Sequence, residues 1–126
     1  MRLTLATILF VSFLPLADAA SIDQSLAKLD PEERARQACI IRGIDQIRAD
    51  KKLPRADRIQ PGAEKRAAFS GDVVLAEGGA VRAKDKWYEL TFTCAVTPDH
   101  MKATSFAYQI GALIPKEKWE DMGLFE

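Results

Sequence analysis

The sequence has few of the residues from which most active sites are built. Its 126 residues include a single histidine, His100, and two cysteines, Cys39 and Cys94. A Ser-His-Asp triad would depend on His100 with Ser70 or Ser105, and no Gly-x-Ser-x-Gly turn is present. A structural zinc site usually takes about four Cys or His ligands. Both kinds of site are therefore disfavoured, and no metal, cofactor or catalytic residue is predicted.

Charge of one sign is not in excess either. Lys plus Arg and Asp plus Glu both total 18, so the formal net charge is zero. Domains that bind nucleic acid usually carry a strong basic excess. Phosphate loops need a glycine-rich turn followed by a lysine, whereas Gly78-Gly79 is a glycine pair without one. Nucleic acid is therefore not an expected partner.

Residues 1–19 have the order of a secretory signal peptide. Arg2 precedes an uncharged apolar run of about 15 residues, and Ala17-Asp18-Ala19 offers a small-residue cleavage site before Ala20. The alternative is an uncleaved anchor, but the run is shorter than the ~20 residues that a spanning helix needs. We expect cleavage, export to the periplasm or medium, and a single domain over residues 20–126 without stable membrane insertion.

The two cysteines are predicted to form one disulfide, because an exported chain meets an oxidising environment. A catalytic cysteine needs a neighbouring base. His100 lies six residues after Cys94, in a predicted turn, and would have to fold back on the strand. No Cys-x-x-Cys redox pair is present. The bond between Cys39 and Cys94 is thus interpreted as a structural link.

Helical periodicity predicts a helix over residues 31–49. Asp30 is a suitable N-cap, Pro31 suits the first helical position, and Glu33 is placed for a capping box. Arg34 is expected on the solvated side. The apolar stripe contains Ile40, Ile44 and Ile47, with Cys39 at its edge. Residues 20–29 are interpreted as a mobile lead-in with a turn of helix, and residues 51–62, with two prolines and a glycine, as a connecting loop.

Period-two patterns predict strands after residue 64. Residues 72–83 read as two short strands around a turn at Glu77-Gly78-Gly79. In residues 85–96, Tyr88, Leu90, Phe92, Cys94 and Val96 share one face and Trp87 lies on the other. A further strand follows over residues 103–114. The chain should end in a short helix, stopped at Gly123 with Leu124 against Trp119.

These elements predict an α+β fold. One N-terminal amphipathic helix would be clamped by the disulfide to a small antiparallel sheet of three to four strands, with a short C-terminal helix after it.

Two groups of residues are candidates for binding. Arg82, Trp87 and Tyr88 could form a ligand-binding surface, with Arg82 stacked on Trp87, if that face of the sheet is exposed. In the alternative, the face is covered and Trp87 belongs to the core. The second group is Lys51, Lys52, Arg55 and Arg58, which could contact an anionic surface or be a solvated basic loop.

Several segments resemble a bacterial family of exported proteins known only as a domain of unknown function. They are LDPEERARQAC, RADRI, GGAVRAKDKWYELTFTC, PDH, SFAYQIG and IPKEKWEDMGL, and they extend over about residues 28–124. The residues matching the family pattern are Cys39, Cys94, Trp87, Tyr88, Pro115 and Trp119. The resemblance implies one domain and the Cys39–Cys94 pairing, and it brings no activity with it.

Three functions remain open. The preferred hypothesis is a non-enzymatic exported module that binds or supports a cell-envelope component. The alternatives are a small periplasmic enzyme of unknown reaction and an assembly protein that pairs through a sheet edge.

Overall fold

The computed structural model describes residues 17–126. Their elements in chain order are α1 (Ala17–Ala27), α2 (Pro31–Ala49), β1 (Ala56–Lys65), β2 (Ala68–Ser70), β3 (Val73–Ala83), β4 (Lys86–Val96), β5 (Ala103–Leu113) and a 3-10 turn (Lys116–Lys118). The predicted signal peptide, residues 1–19, lies outside the described residues except for 17–19, which belong to α1. Within residues 17–126, no helix is long and apolar enough to cross a membrane.

The strands form one antiparallel sheet in the order β1-β3-β4-β5, with β2 also paired to β3. The α+β class is confirmed. The predicted number of strands, three to four, is wrong, because the sheet formed within residues 17–126 has five. The additional strands come from residues 56–70, where turn-forming residues obscure the alternation.

The loop predicted over residues 51–62 is wrong from Ala56 onward, where β1 begins. Ile59, Pro61 and Ala63 are buried in alternation along this strand. Proline is tolerated because β1 lies at the edge of the sheet, where a missing N–H does not break a ladder on both sides.

The turn predicted at Gly78-Gly79 is also wrong, because β3 runs continuously through both residues. A Cβ on Gly78 would lie 2.7 Å from the backbone nitrogen of Lys65, and one on Gly79 would lie 2.9 Å from the carbonyl oxygen of Leu90. These glycines therefore allow neighbouring strands to approach closely at a bulge in the sheet.

The main core lies between α2 and the sheet. The disulfide joins Cys39 of α2 to Cys94 of β4, and both residues are completely buried. The predicted clamp between helix and sheet is confirmed. Gly43 brings α2 close to β5, since a Cβ there would lie 2.6 Å from the Phe106 ring.

The opposite face of the sheet is covered by the C-terminal segment. Instead of the predicted helix, the chain makes a 3-10 turn and a tight reversal. The backbone N–H of Leu124 donates to Trp119 at 2.8 Å, and that of Gly123 donates to Glu120 at 3.1 Å. This confirms the predicted helix-terminating motif at Gly123. The buried residues on this face form the C-terminal cluster: Ala63, Ala80, Trp87, Ile114, Trp119 and Leu124.

Residues 20–29 contain more helix than the single turn predicted for the lead-in, because most of them belong to α1. Arg34, predicted to be solvated, instead donates hydrogen bonds to the carbonyls of Leu26, Ala27 and Leu29 at 2.9–3.1 Å. The last carbonyls of a helix lack partners within it and attract cations. Arg34 therefore caps α1 and holds it on α2.

At the start of α2, Asp30 occupies the N-cap position without a side-chain capping bond. Glu33 bonds to Arg36 and Gln37 and does not reach back to the N-cap. The predicted helix start is correct, but the capping box is not formed.

Candidate functional site

The surface expected around Trp87 is covered. Trp87 is 1 % exposed within the C-terminal cluster, and its Nε1 donates to the Phe125 carbonyl at 2.9 Å. Tyr88 points to the other face of β4, where it is half-buried against the main core. The alternative in which Trp87 belongs to the core is therefore confirmed, and no exposed Trp–Arg platform is formed by these residues.

Arg82 is already engaged by its neighbours. It lies opposite Trp87 on the adjacent strand, with its guanidinium carbon 5.9 Å from the indole centroid, as the strand pairing predicts. Both its Nε and its Nη2 donate to the Asp57 carboxylate, at 3.0 and 2.8 Å. These bonds lower the pKa of Asp57 and raise the pKa of Arg82. The Arg82 side chain, 12 % exposed, is thus part of a structural ion pair.

Of the four cations predicted to contact an anionic surface, Lys51, Lys52 and Arg55 stay in one turn and Arg58 is separated from them. Arg58 lies in β1, and its guanidinium carbon is 5.0 Å from the centroid of the Phe125 ring. Lys51, Lys52 and Arg55 remain exposed in the turn between α2 and β1. Arg55 and Arg58 line different cavities.

A cleft at this end of the sheet brings Arg55 together with cations from a distant part of the sequence. We call it the basic cleft, and its volume is about 430 Å³. It is lined by Leu53, Pro54, Arg55, Ala83, Lys84, Lys86 and Tyr88. The α2–β1 turn forms one wall, and the β3–β4 turn forms the other.

The β3–β4 turn fixes the position of two of these cations. Ala83 and Lys86 are paired, so Lys84 and Asp85 are the only residues between the strands. Both have positive φ, 51° and 62°. A two-residue turn of this kind matches the twist of the flanking strands. It places Lys84 at the tip of the hairpin and Lys86 at its base, with Asp85 between them.

The basic cleft contains unneutralised charge. None of the acidic residues that the structure describes lines it. Asp85, between Lys84 and Lys86 in the turn, is not among the lining residues; it adds to the effect of Asp57 in raising the pKa of Arg82. Within residues 17–126, the cations that line the cleft form no ion pair. The Lys and Arg side chains that do form ion pairs within this range are Arg36, Lys65, Arg66, Arg82 and Lys116. Among the described residues, three cations and no carboxylate therefore line the cleft, on a chain of zero net charge.

Between the cations, the cleft wall is apolar. Leu53, Pro54 and Ala83 contribute aliphatic surface, and Tyr88 contributes an aromatic ring with a hydroxyl. Leu113 pairs with Tyr88 across the β4–β5 ladder and is 52 % exposed. Since directly paired residues share a face, the apolar surface extends from Tyr88 to Leu113.

His100 lies away from the cleft and supports the fold. Its Nδ1 lies 2.8 Å from the Pro31 carbonyl oxygen, and its Nε2 lies 2.9 Å from Oδ1 of Asp72. Both ring nitrogens are therefore in contact with residues other than Ser70 and Ser105. Within residues 17–126, no group of three or more His, Cys, Asp or Glu side chains could hold a metal ion.

Sequence reasoning found Arg55 and Tyr88 but missed Lys84 and Lys86. The segment Ala83-Lys84-Asp85-Lys86 contained the signal, because it separates two strand-like segments by two residues. The glycine pair at 78–79 was a stronger turn signal, and it added a second hairpin that β3 does not contain.

The range of residues that fold together here also corresponds to a known sequence family. A family model described as Domain of Unknown Function (DUF930) matches residues 26–124. The chain belongs to this family. The DUF930 match contains both cysteines and every residue of the basic cleft, and it begins and ends at the buried residues Leu26 and Leu124. No curated protein and no solved structure matches the chain.

Proposed function

We propose that the protein is an exported, non-enzymatic module that binds an anionic component of the cell envelope through the basic cleft. The observation that carries this proposal is the convergence of Arg55, Lys84 and Lys86 on one cleft whose lining includes no carboxylate. Cations left without partners are available for charge-assisted hydrogen bonds to phosphate or carboxylate oxygens. A zero net charge favours a local, ligand-sized interaction over general adsorption to polyanions.

An enzymatic function is less well supported. A hydrolytic site would need a base and a nucleophile within hydrogen-bonding reach of each other. His100 uses both nitrogens in contacts to Pro31 and Asp72. The cations of the basic cleft suit binding and charge stabilisation, and neither a Ser, Thr or Cys nucleophile nor a carboxylate base lines the cleft beside them.

An assembly function would require an edge strand that pairs with a partner chain. β5 is a candidate, because it lies at one edge of the sheet. Its ladder with β4 is irregular near both ends, between Tyr88 and Leu90 and between Ala95 and Val96. Gln46 of α2 also donates to the Phe106 carbonyl at 2.8 Å. Irregular pairing and capping by a neighbouring element both discourage strand addition. The basic cleft is therefore the stronger candidate.

The proposal is tested by co-sedimentation of the purified domain with envelope fragments. In the test variant, Arg55, Lys84 and Lys86 are all replaced by glutamine. In the control variant, Arg42, Lys28 and Lys102 are replaced, which removes the same charge from exposed positions elsewhere.

We expect the test variant to bind at least about tenfold more weakly, a loss of about 1.4 kcal/mol, and the control to bind like the parent. Raising the ionic strength should weaken parent binding, because exposed charges are screened. Equal losses in the two variants would show that only net charge matters, and the assignment to the cleft would be wrong.

Export is part of the same proposal. A buried disulfide between Cys39 and Cys94 supports it, because disulfides persist in oxidising compartments. N-terminal sequencing of the native protein from the exported fraction should begin at Ala20. Full-length protein starting at Met1 and confined to the cytoplasm would contradict export.

A further inference from the structure

We infer that the ligand of the basic cleft is a phosphate-bearing amphiphile, whose anionic group is bound by Arg55, Lys84 and Lys86 and whose aliphatic part lies against the apolar wall. This inference rests on the proposed function and adds the chemical class of the ligand. It uses a feature that anion binding alone does not require, namely the apolar surface between the cations.

The cations line one cleft from two sides. They come from two short turns that face each other across the cleft, one before β1 and one between β3 and β4. Arg55 can bind two phosphate oxygens through its planar fork, while Lys84 and Lys86 supply compact charges. A tetrahedral phosphate presents oxygens in several directions and can meet donors on both walls. A carboxylate presents only two oxygens, in one plane.

The apolar wall accounts for the rest of the ligand. Leu53, Pro54, Ala83 and the ring of Tyr88 present hydrocarbon surface with few hydrogen-bonding groups. A sugar would lose hydration against such a wall without replacing its hydrogen bonds. An aliphatic chain has no such cost, and each buried methylene is expected to strengthen binding roughly fourfold.

The volume and surroundings of the cleft fit the polar end of such a molecule. About 430 Å³ is within the range of small-molecule sites, but too small for a whole membrane lipid. The apolar surface continues out of the cleft to the exposed Leu113, which would let a longer chain leave the protein beside it. Lys51 and Lys52 are exposed in the same turn as Arg55. Exposed cations beside exposed apolar residues are typical of proteins that rest on an anionic lipid surface.

The inference is tested with a ladder of ligands in solution. Glycerol 3-phosphate carries the anion alone, dihexanoyl phosphatidic acid adds two short chains, and dihexanoyl phosphatidylcholine keeps the chains with a zwitterionic head. Binding of each, below its micelle concentration, is measured by calorimetry with the parent and the two triple variants described above. Vesicles of phosphatidylcholine with and without phosphatidic acid form a separate arm, which distinguishes a membrane source from a free phosphate ester.

We expect dihexanoyl phosphatidic acid to bind at least tenfold more tightly than glycerol 3-phosphate and than the zwitterionic lipid. The triple variant of the cleft should lose this advantage, while the control variant keeps it. Vesicles that contain phosphatidic acid should retain the parent, and those of phosphatidylcholine alone should not.

The other outcomes separate the two proposals. If glycerol 3-phosphate binds as tightly as the short-chain lipid, and the cleft variant loses both, the amphiphile is wrong while anion binding at the cleft stands. If only vesicles bind, the protein adsorbs to charged surfaces without taking a lipid into the cleft, and the inference is again overturned. If no probe and no envelope fragment distinguishes the two variants, both proposals fail together.

Discussion

Cys39 on α2 and Cys94 on the central strand β4 are bonded through their sulfurs, and neither residue has any exposed surface. The bond closes a loop with a sequence separation of 55 residues. In the chain-entropy model, a closed loop of this length stabilises the folded state by about 4 kcal/mol, because it restricts the unfolded chain. That amount is comparable to the net stability of a small domain.

We therefore expect the double variant Cys39→Ala, Cys94→Ala to lose about 2–5 kcal/mol in free energy of unfolding, measured by denaturant titration. Reduction of the parent should give a similar loss, since it removes the same constraint. A double variant as stable as the oxidised parent would mean that packing alone holds α2 on the sheet.

The parts of this fold that sequence predicted best are those whose pattern matches their burial. In β4, the alternation separates Cys94 from the solvent side. In α2, the predicted apolar stripe is displaced: Cys39 and Ile47 are buried, whereas Ile40 and Ile44 are only partly buried. The β1 strand was missed because Pro61 and Gly62 are turn residues by composition, although an edge strand tolerates them.

Other features depend on tertiary contacts that no local pattern reports. Alternation placed Trp87 on the face of β4 that points away from Cys94. Only the path of the C-terminal segment shows that this face is covered. The basic cleft joins residues 53–55 to residues 83–88, and it exists only because the α2–β1 turn packs beside the β3–β4 hairpin, a contact that no local pattern predicts. Arg34 was assigned to solvent because arginine usually is, whereas the end of α1 is within its reach.

Gly43 allows α2 to lie close to the sheet. A Cβ at this position would be 2.6 Å from Cζ of Phe106 and 2.8 Å from Cδ1 of Ile59. The Phe106 ring already packs on the rings of Phe92 and Tyr108, so it has little room to move.

We therefore expect Gly43→Ala to lower the free energy of unfolding. The cost of overpacking, about 1–3 kcal/mol, should exceed the gain in helix propensity, which is up to about 1 kcal/mol. Asp45→Ala, at an exposed position of the same helix, is the control and should change stability by less than about 0.5 kcal/mol. A more stable Gly43→Ala protein would contradict the close approach of α2 to β5.

Tyr108 makes stability sensitive to alkaline pH. Burial and the hydrogen bond from its hydroxyl to Oδ2 of Asp50, at 2.7 Å, raise the pKa of Tyr108 to about 12. The pKa in the unfolded chain is about 10. Between these values the unfolded chain releases a proton that the folded protein keeps, so stability should be unaffected below about pH 10 and should decrease as the pH rises toward 12.

The titration can be followed by tyrosinate absorbance in a Tyr88→Phe background, because the chain has only two tyrosines. Adding Asp50→Asn should lower the pKa of Tyr108, since the carboxylate no longer opposes the phenolate, although burial remains. In the Tyr108→Phe protein the alkaline loss of stability should be smaller. An unchanged alkaline loss would assign it to other groups.

Arg34 connects three parts of the chain through its guanidinium. Besides the three carbonyls at the end of α1, it donates to the Asp99 carbonyl in the β4–β5 turn at 3.1 Å. Lysine keeps the charge, but its single ammonium has three donors on one atom and cannot reach carbonyls in this planar arrangement.

Arg34→Lys should therefore lower the free energy of unfolding by about 1–2 kcal/mol and release α1 first. Hydrogen exchange provides the decisive measurement. Amide protection should be lost within α1, where Leu26 is the buried contact, and kept in α2 and β4. Arg42→Lys is the matched control, since Arg42 makes one exposed bond of 3.3 Å to Gln46. If both variants leave α1 equally protected, the packing of Leu26 is sufficient to hold α1, and the capping by Arg34 contributes little.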